Sequence, residues 1–138
     1  MARRLSIFID GAARGNPGPA GIGVVVRDED GITLKEISRY IGEATNNIAE
    51  YNALLCGLQE ALMLKADEVA IHSDSQLVAR QISGAYRVKN KELKRLFDQA
   101  LHLLTGFARY EMRHIGRELN KEADRLANKA INLSEPVT

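Results

Sequence analysis

Four carboxylates in this 138-residue sequence, Asp10, Glu50, Asp74 and Asp124, stand where they could act together. Asp10 follows the apolar positions Leu5, Ile7 and Ile9 and precedes Gly11, and Asp74 follows the short strand-like run at 69–73. Glu50 and Asp124 fall early in two stretches whose apolar residues recur at helical spacing. Acids gathered in one place repel one another and resist desolvation, and an oxygen-seeking cation such as Mg²⁺ relieves both. A multi-carboxylate Mg²⁺ site with open positions suits phosphoryl chemistry. There, two ions roughly 3.5–4 Å apart activate a water and stabilise the leaving oxygen. Each acid also has an ordinary reading. Asp10-Gly11 is compatible with a turn, and Glu50 with a capping box begun by Asn47. Asp74 is compatible with an N-cap for a helix starting at Ser75, and Asp124 with a surface charge beside Lys121 and Arg125. Convergence of the four, and no single one of them, carries the metal reading.

The elements that must position these acids follow from the periodicity. Strands are expected over 5–10, 22–27 and 32–41, with a turn signal at 28–31 between the second and third. A helix over 47–64 carries Ile48, Tyr51, Leu54, Leu58 and Ala61 on one side, with Thr45, Asn46 and Asn47 as cap residues. A strand at 69–73, helices at 75–83 and 91–104 stopped by Gly84 and Gly106, a strand at 107–114 and a helix at 120–131 complete the chain. The order β-β-β-α-β-α-α-β-α implies an α/β fold, a five-stranded mixed sheet flanked by helices. If the first and fourth strands are parallel neighbours, Asp10 and Asp74 emerge beyond the same carboxyl ends, where open α/β sheets bind ligands. Glu50 shares a helix side with Leu54 and Gly57, and Asp124 with Ala127 and Ile131, so both lean toward the sheet.

The rest of the composition sets bounds. The length suits one domain over 1–138. Apolar residues make up 45% and charged residues 27%, as in ordinary globular proteins, and the net charge of +1 means that any nucleic-acid role must come from local clusters of Lys and Arg. Cys56 is the single cysteine; it excludes zinc fingers and an intrachain disulfide and fits a reducing cytoplasm. The basic start, MARRLSIFID, has too short an apolar run for a signal peptide, and no segment is long enough to span a bilayer. The tail, 133–138, reads as loosely held. The glycine-rich loop after Asp10 has neither a dinucleotide fingerprint nor a P-loop lysine and leads into a strand, which disfavours a nucleotide cofactor. It fits a loop lying close to a nucleic-acid backbone, with Asn16 as its informative side chain; a rigid Pro/Gly connection is the plainer alternative.

Four motifs in this order, FIDGAARGNPGPAGIG at 8–23, TNNIAEYNALLCGL at 45–58, SDSQ at 73–76 and HIGRELNKEADRLA at 114–127, resemble ribonuclease H of type 1 over nearly the whole chain. The resemblance implies the ribonuclease H-like fold and a Mg²⁺-dependent endonuclease, with Mn²⁺ as a substitute. Such an enzyme cuts the RNA strand of RNA–DNA hybrids and leaves 5′-phosphate and 3′-hydroxyl ends. By position, Asp10, Glu50, Asp74 and Asp124 would hold two metal ions, and His114 would assist proton transfer or product release. Gly11, Asn16, Asn46 and Gln76 would lie at the minor groove, with Thr45 near a DNA phosphate. A wide, A-like minor groove displays the 2′-hydroxyl, which short polar side chains can test without reading bases. Members with a basic, Trp-rich protrusion carry it where this chain has the short stretch SGAYRVKNKELKRL at 83–96 and no Trp. That stretch and its flank hold Arg80, Arg87, Lys89, Lys91, Lys94 and Arg95 against Glu92, either a solvated face or a phosphate-contacting patch. A monomer is expected, and double-stranded RNA stays open as a second substrate. The alternatives are a hybrid-binding or duplex-RNA-binding module of the same fold, which has no use for clustered acids near phosphates, and a resolvase or integrase core, against which Asn16, Asn46 and Gln76 argue.

Overall fold

A computed structural model of the chain describes residues 3–134. β1 (Arg4–Ala13), β2 (Gly18–Arg27) and β3 (Thr33–Ala44) form a meander, and α1 (Asn46–Met63) leads to β4 (Glu68–Ser73). α2 (Gln76–Ile82) and α3 (Lys91–Leu104) precede β5 (Arg109–His114), and a 3₁₀ turn, Arg117–Leu119, enters α4 (Lys121–Ser134). The strand order is β3-β2-β1-β4-β5, with β2 antiparallel to both its neighbours and β4 parallel to both β1 and β5. The mixed five-stranded sheet expected from the element order is therefore present, and β1 is its central strand.

Helices cover both faces of the sheet. Ile7, Ile9 and Val24 are fully buried beneath α1, where Gly57 lets them approach closely. α4 lies across the other face. Residues directly opposite in an antiparallel pair share a face, so Gly23, opposite Asp10, and Gly21, opposite Ala12, place Asp10 on the α4 side. A Cβ on Gly23 would overlap the Ala123 carbonyl, and one on Gly21 would stand 2.5 Å from the Ala127 carbonyl. The two missing side chains set how near α4 comes to β2.

The register carries the main departure from the sequence reading. The parallel β1–β4 ladder runs from Arg4↔Glu68 to Ile9↔Ser73 and stops, while β1 continues beside β2 to Ala13↔Ala20. Asp10 thus stands inside β1 at the fork where β4 leaves it, and does not close the strand. β2 likewise begins at Gly18 and not at residue 22, so most of the glycine-rich stretch is ladder, and the turn is confined to 14–17. Low strand propensity of Gly and Pro suggests a loop there; the close approach of α4 requires the glycines in a strand. β5 starts two residues later than expected, because the Phe107 N–H bonds to the Leu104 carbonyl as α3 unwinds. Leu133 and Ser134 continue α4, and the rest of the tail expected to be loose lies outside the described residues. No described helix is long and apolar enough to cross a membrane.

Candidate active site

Asp10, Glu50 and Asp74 converge at the fork, each offering a carboxylate oxygen within 4.8 Å of the others. None of them serves the local purpose available to it. Asp10 is in a strand, not a turn. α1 is capped by Thr45, whose Oγ1 accepts from the Ile48 N–H at 3.2 Å, so Glu50 is no capping partner of Asn47. α2 is capped by Ser75, whose Oγ accepts from the Val78 N–H at 3.2 Å, which leaves Asp74 outside the cap. Gly11 brings Glu50 in. A Cβ there would overlap the Ala49 and Glu50 backbone. The first turns of α1 can rest on β1 only because residue 11 has no side chain.

The electrostatics of this cluster are unfavourable as it stands. Asp10 and Glu50 are 5% and 8% exposed, and Glu50 Oε2 is buried without a hydrogen-bond partner. Burial first, then the charge of Asp74 and the proximity of Asp124, pushes the Asp10 carboxyl up to about 8. Burial, then the charges of Asp10 and Asp74, holds Glu50 well above the ordinary carboxylate range. A stranded carboxylate oxygen amid like charges, at a site built only of hard oxygen donors, fits a divalent cation of the Mg²⁺ class.

Asp124 approaches from α4. It is exposed, yet near enough to hydrogen-bond with Asp10. Asn128, one turn on, donates through Nδ2 to Asp124 Oδ1 at 3.2 Å and to its carbonyl at 3.0 Å. Arg125 turns instead to Glu122 at 3.1 Å and Glu36 at 3.6 Å, so it does not neutralise Asp124. All four acids line one cleft of about 440 Å³, together with Asn46, Asn47, Ser75, Arg117 and Asn128. Arg117 belongs to a set of basic residues spaced four apart over 109–129 that spans a strand, a loop and a helix and forms no single stripe. Asn128 has no signal beyond its spacing of four from Asp124, so neither residue is marked as a site residue by the sequence.

The other expected residues are placed as follows. His114 ends β5 opposite Ser73, exposed, with Nε2 3.3 Å from the Asp74 carbonyl oxygen. Asn16 Oδ1 accepts from the Asn46 N–H at 3.0 Å, and Asn46 Oδ1 accepts from the Ala13 N–H at 3.0 Å. These two amides tie the β1–β2 turn to the start of α1. Gln76 is exposed; with its amide oxygen turned toward Arg80, it accepts from Nε and Nη2 at 3.0 Å. Arg80 lies 5.2 Å over the Tyr86 ring. In the basic stretch, Lys94 pairs with Asp98 at 2.5 Å, an acid just beyond the segment read from sequence. That connection is anchored from inside. The fully buried Tyr51 donates its hydroxyl to Gln81 Oε1 at 2.5 Å, and Gln81 Nε2 donates to the Arg87 carbonyl at 3.3 Å.

Comparison with known proteins places this geometry. The family described as Reverse transcriptase-like matches residues 8–130. The chain is 43% identical over 129 residues to Ribonuclease HI of Halobacterium salinarum, covering 94% of this chain and 65% of that protein. It is 46% identical over 130 residues to the bifunctional protein Rv2228c of Mycobacterium tuberculosis, covering 94% of this chain. The chain thus spans under two thirds of the length of the first and 36% of the second. The crystal structure of RNase H1 from H. salinarum superposes with a TM-score of 0.93 at 42% identity, covering 95% of this chain and 99% of that one. The structure of LC11-RNase H1 in complex with RNA/DNA hybrid gives a TM-score of 0.89 at 46% identity, covering 94% and 98%. Fold, element order and sequence agree along nearly the whole length, and the chain belongs to the ribonuclease HI family.

Proposed function

We propose that the protein is an endoribonuclease that hydrolyses the RNA strand of RNA–DNA hybrids, giving 5′-phosphate and 3′-hydroxyl ends. The observation that carries this reading is the convergence of Asp10, Glu50 and Asp74 with Glu50 Oε2 buried and unpartnered. A module that only binds nucleic acid gains nothing from unneutralised acids beside phosphates. Asp10, Glu50, Asp74 and Asp124 would hold two Mg²⁺ ions, with Mn²⁺ as a substitute. When bound, such ions lower the pKa of water and neutralise charge at the scissile phosphate.

The chain's own residues do the rest. Asp10, central at the fork, and Glu50, brought in by the close approach of α1 to Gly11, fix the donor positions before substrate arrives. His114, held beside Asp74 at the end of β5, takes up or returns a proton at the edge of the cleft. Asn16 and Asn46 commit their amide oxygens inside the protein, so each offers its NH₂ as donor to acceptors of a minor groove. Gln76 with its oxygen toward Arg80 does the same. Gly11 is buried and acts through its backbone. Thr45 stands at the N-terminus of the 18-residue α1, where the helix dipole favours a phosphate. Relatives in the ribonuclease HI family and the hybrid complex of LC11-RNase H1 support this reading. We place the protein as a monomer in a reducing compartment such as the cytoplasm.

The test is cleavage of end-labelled RNA–DNA hybrid, duplex RNA and duplex DNA with Mg²⁺, Mn²⁺ or EDTA. Cutting of the hybrid RNA strand is expected with either ion and none in EDTA. Binding of hybrid without cutting under both ions would leave the enzyme reading untenable. The duplex-RNA lane reports whether the short basic connection widens the substrate range.

A further inference from the structure

Asn120 links two of the four acids, and nothing in the chemistry above uses it. It is 2% exposed, between the 3₁₀ turn and α4. Its Nδ2 donates to the Ile9 carbonyl at 2.9 Å, and Ile9 is the residue before Asp10. Its own carbonyl accepts the Asp124 N–H at 3.1 Å. One residue therefore connects the backbone at Asp10 to the backbone at Asp124 across 111 positions of sequence. The attachment falls at Ile9↔Ser73, the last rung before β4 leaves β1.

The packing explains why such a link is needed. Gly21 and Gly23 let α4 approach β2, but a missing Cβ has no direction and sets neither slide along the helix axis nor rotation about it. A hydrogen bond is directional and does both. Asn120 also leaves Oδ1 buried without a partner. An apolar residue would remove that unpaired oxygen but would also take its donor from the Ile9 carbonyl. What it uniquely supplies is the Nδ2 donor.

We propose that Asn120 is a positioning residue that fixes Asp124 relative to Asp10, so that the two acids bind a divalent cation as a unit. This rests on the reading of those acids as cation ligands. Ser38 offers the matching comparison. Its Oγ donates to the Leu126 carbonyl at 2.6 Å, pinning α4 to β3 away from the acids.

The experiment compares the full chain with Asn120→Ala, Asp124→Asn, the double variant and Ser38→Ala. Two quantities are read. One is the Mn²⁺ concentration at the midpoint of the cation-induced rise in melting temperature, without substrate. The other is kcat and KM on hybrid. Asn120→Ala is expected to raise the Mn²⁺ midpoint about tenfold and to lower kcat about 10–100-fold with KM little changed. The double variant is expected to be no worse than Asp124→Asn. Ser38→Ala lowers the melting temperature in EDTA and leaves midpoint and kcat alone. A purely structural Asn120 would behave like Ser38, and that result overturns the proposal, as do losses that add in full to those of Asp124→Asn. If Asn120→Ala fails to fold, Asn120→Leu, which keeps the volume without adding a charge, removes the same donor and is read in the same way. Should the wild type respond to Mn²⁺ yet never cut hybrid, the proposed activity fails while the midpoints still decide the role of Asn120. Should Asp124→Asn leave the midpoint unchanged while cutting persists, the Asn120 proposal fails and the activity stands.

Discussion

Asp10, Glu50 and Asp74 reach the cleft by one kind of construction, and Asp124 by another. The first three hang from backbone that the β1–β4 ladder and the first turns of α1 already fix, and Asp10 and Glu50 are buried. Asp124 is exposed, on a helix laid across the sheet and held by glycine gaps and a few side-chain hydrogen bonds. The first group is placed by topology and carries an electrostatic cost that the fold cannot avoid. The fourth acid is placed by detail and can be shifted with the rest of the site intact.

Substitutions separate the two constructions. The largest effect is expected from Asp10→Asn, which should lower single-turnover cleavage of hybrid by about 10⁴-fold or more, because the acids act as a unit. In EDTA near neutral pH the same variant should be more stable than the wild type in denaturant titrations by at least about 1–3 kcal/mol, since folding no longer has to protonate or bury a repelled carboxylate. Next comes Gly11→Ala. Its Cβ would force the start of α1 off β1, costing about 1–3 kcal/mol, and cleavage should fall further than for Gly23→Ala, which displaces only α4. Melting curves and cleavage rates measured side by side check this; equal catalytic losses would erase the distinction between the two constructions. His114→Ala, at the rim, should slow turnover by about 10²-fold without abolishing it. Loss as complete as for Asp10→Asn would assign His114 a larger role.

The last effect is on pH-dependent stability without divalent ions, not on cleavage. The Asp10 carboxyl titrates near 8 when folded, against an ordinary value of 3.8. A raised carboxyl pKa favours the folded form fully below the unfolded value, and that contribution is lost as pH rises through the folded value. The protein in EDTA should therefore become less stable between about pH 4 and pH 8. The slope should flatten in Asp10→Asn, and in saturating Mg²⁺ if the acids hold the ion.

Much of this was legible in the chain. Alternation in β1, helical spacing in α1 and α4, and an acid next to each element gave the fold class and the four candidates. What stayed hidden depends on contacts between distant segments. Gly21 looks like a loop residue and Gly23 like any strand position until α4 is laid over them. Gly11, expected at the groove, is covered by α1. Arg117, Asn128 and Asn120 have no local pattern that marks them, because their positions matter only once the entry to α4 meets β1. Asp74 beside Ser75 looks like a helix cap, and only the geometry shows the serine doing the capping.

The buried Tyr51–Gln81–Arg87 relay has a consequence for how this chain can be re-engineered. It gives the connection between α2 and α3 a fixed stem, one residue from Glu50 in sequence, and an exposed tip. Lys89 lies on that tip, between the relay and Asn90, whose side chain caps α3. A foreign segment spliced in at Lys89 would leave both anchors in place, whereas one that displaced the Arg87 carbonyl would strand the Gln81 amide in the core. The connection is thus a graft point, where a longer binding appendage can be attached or removed without disturbing the acids.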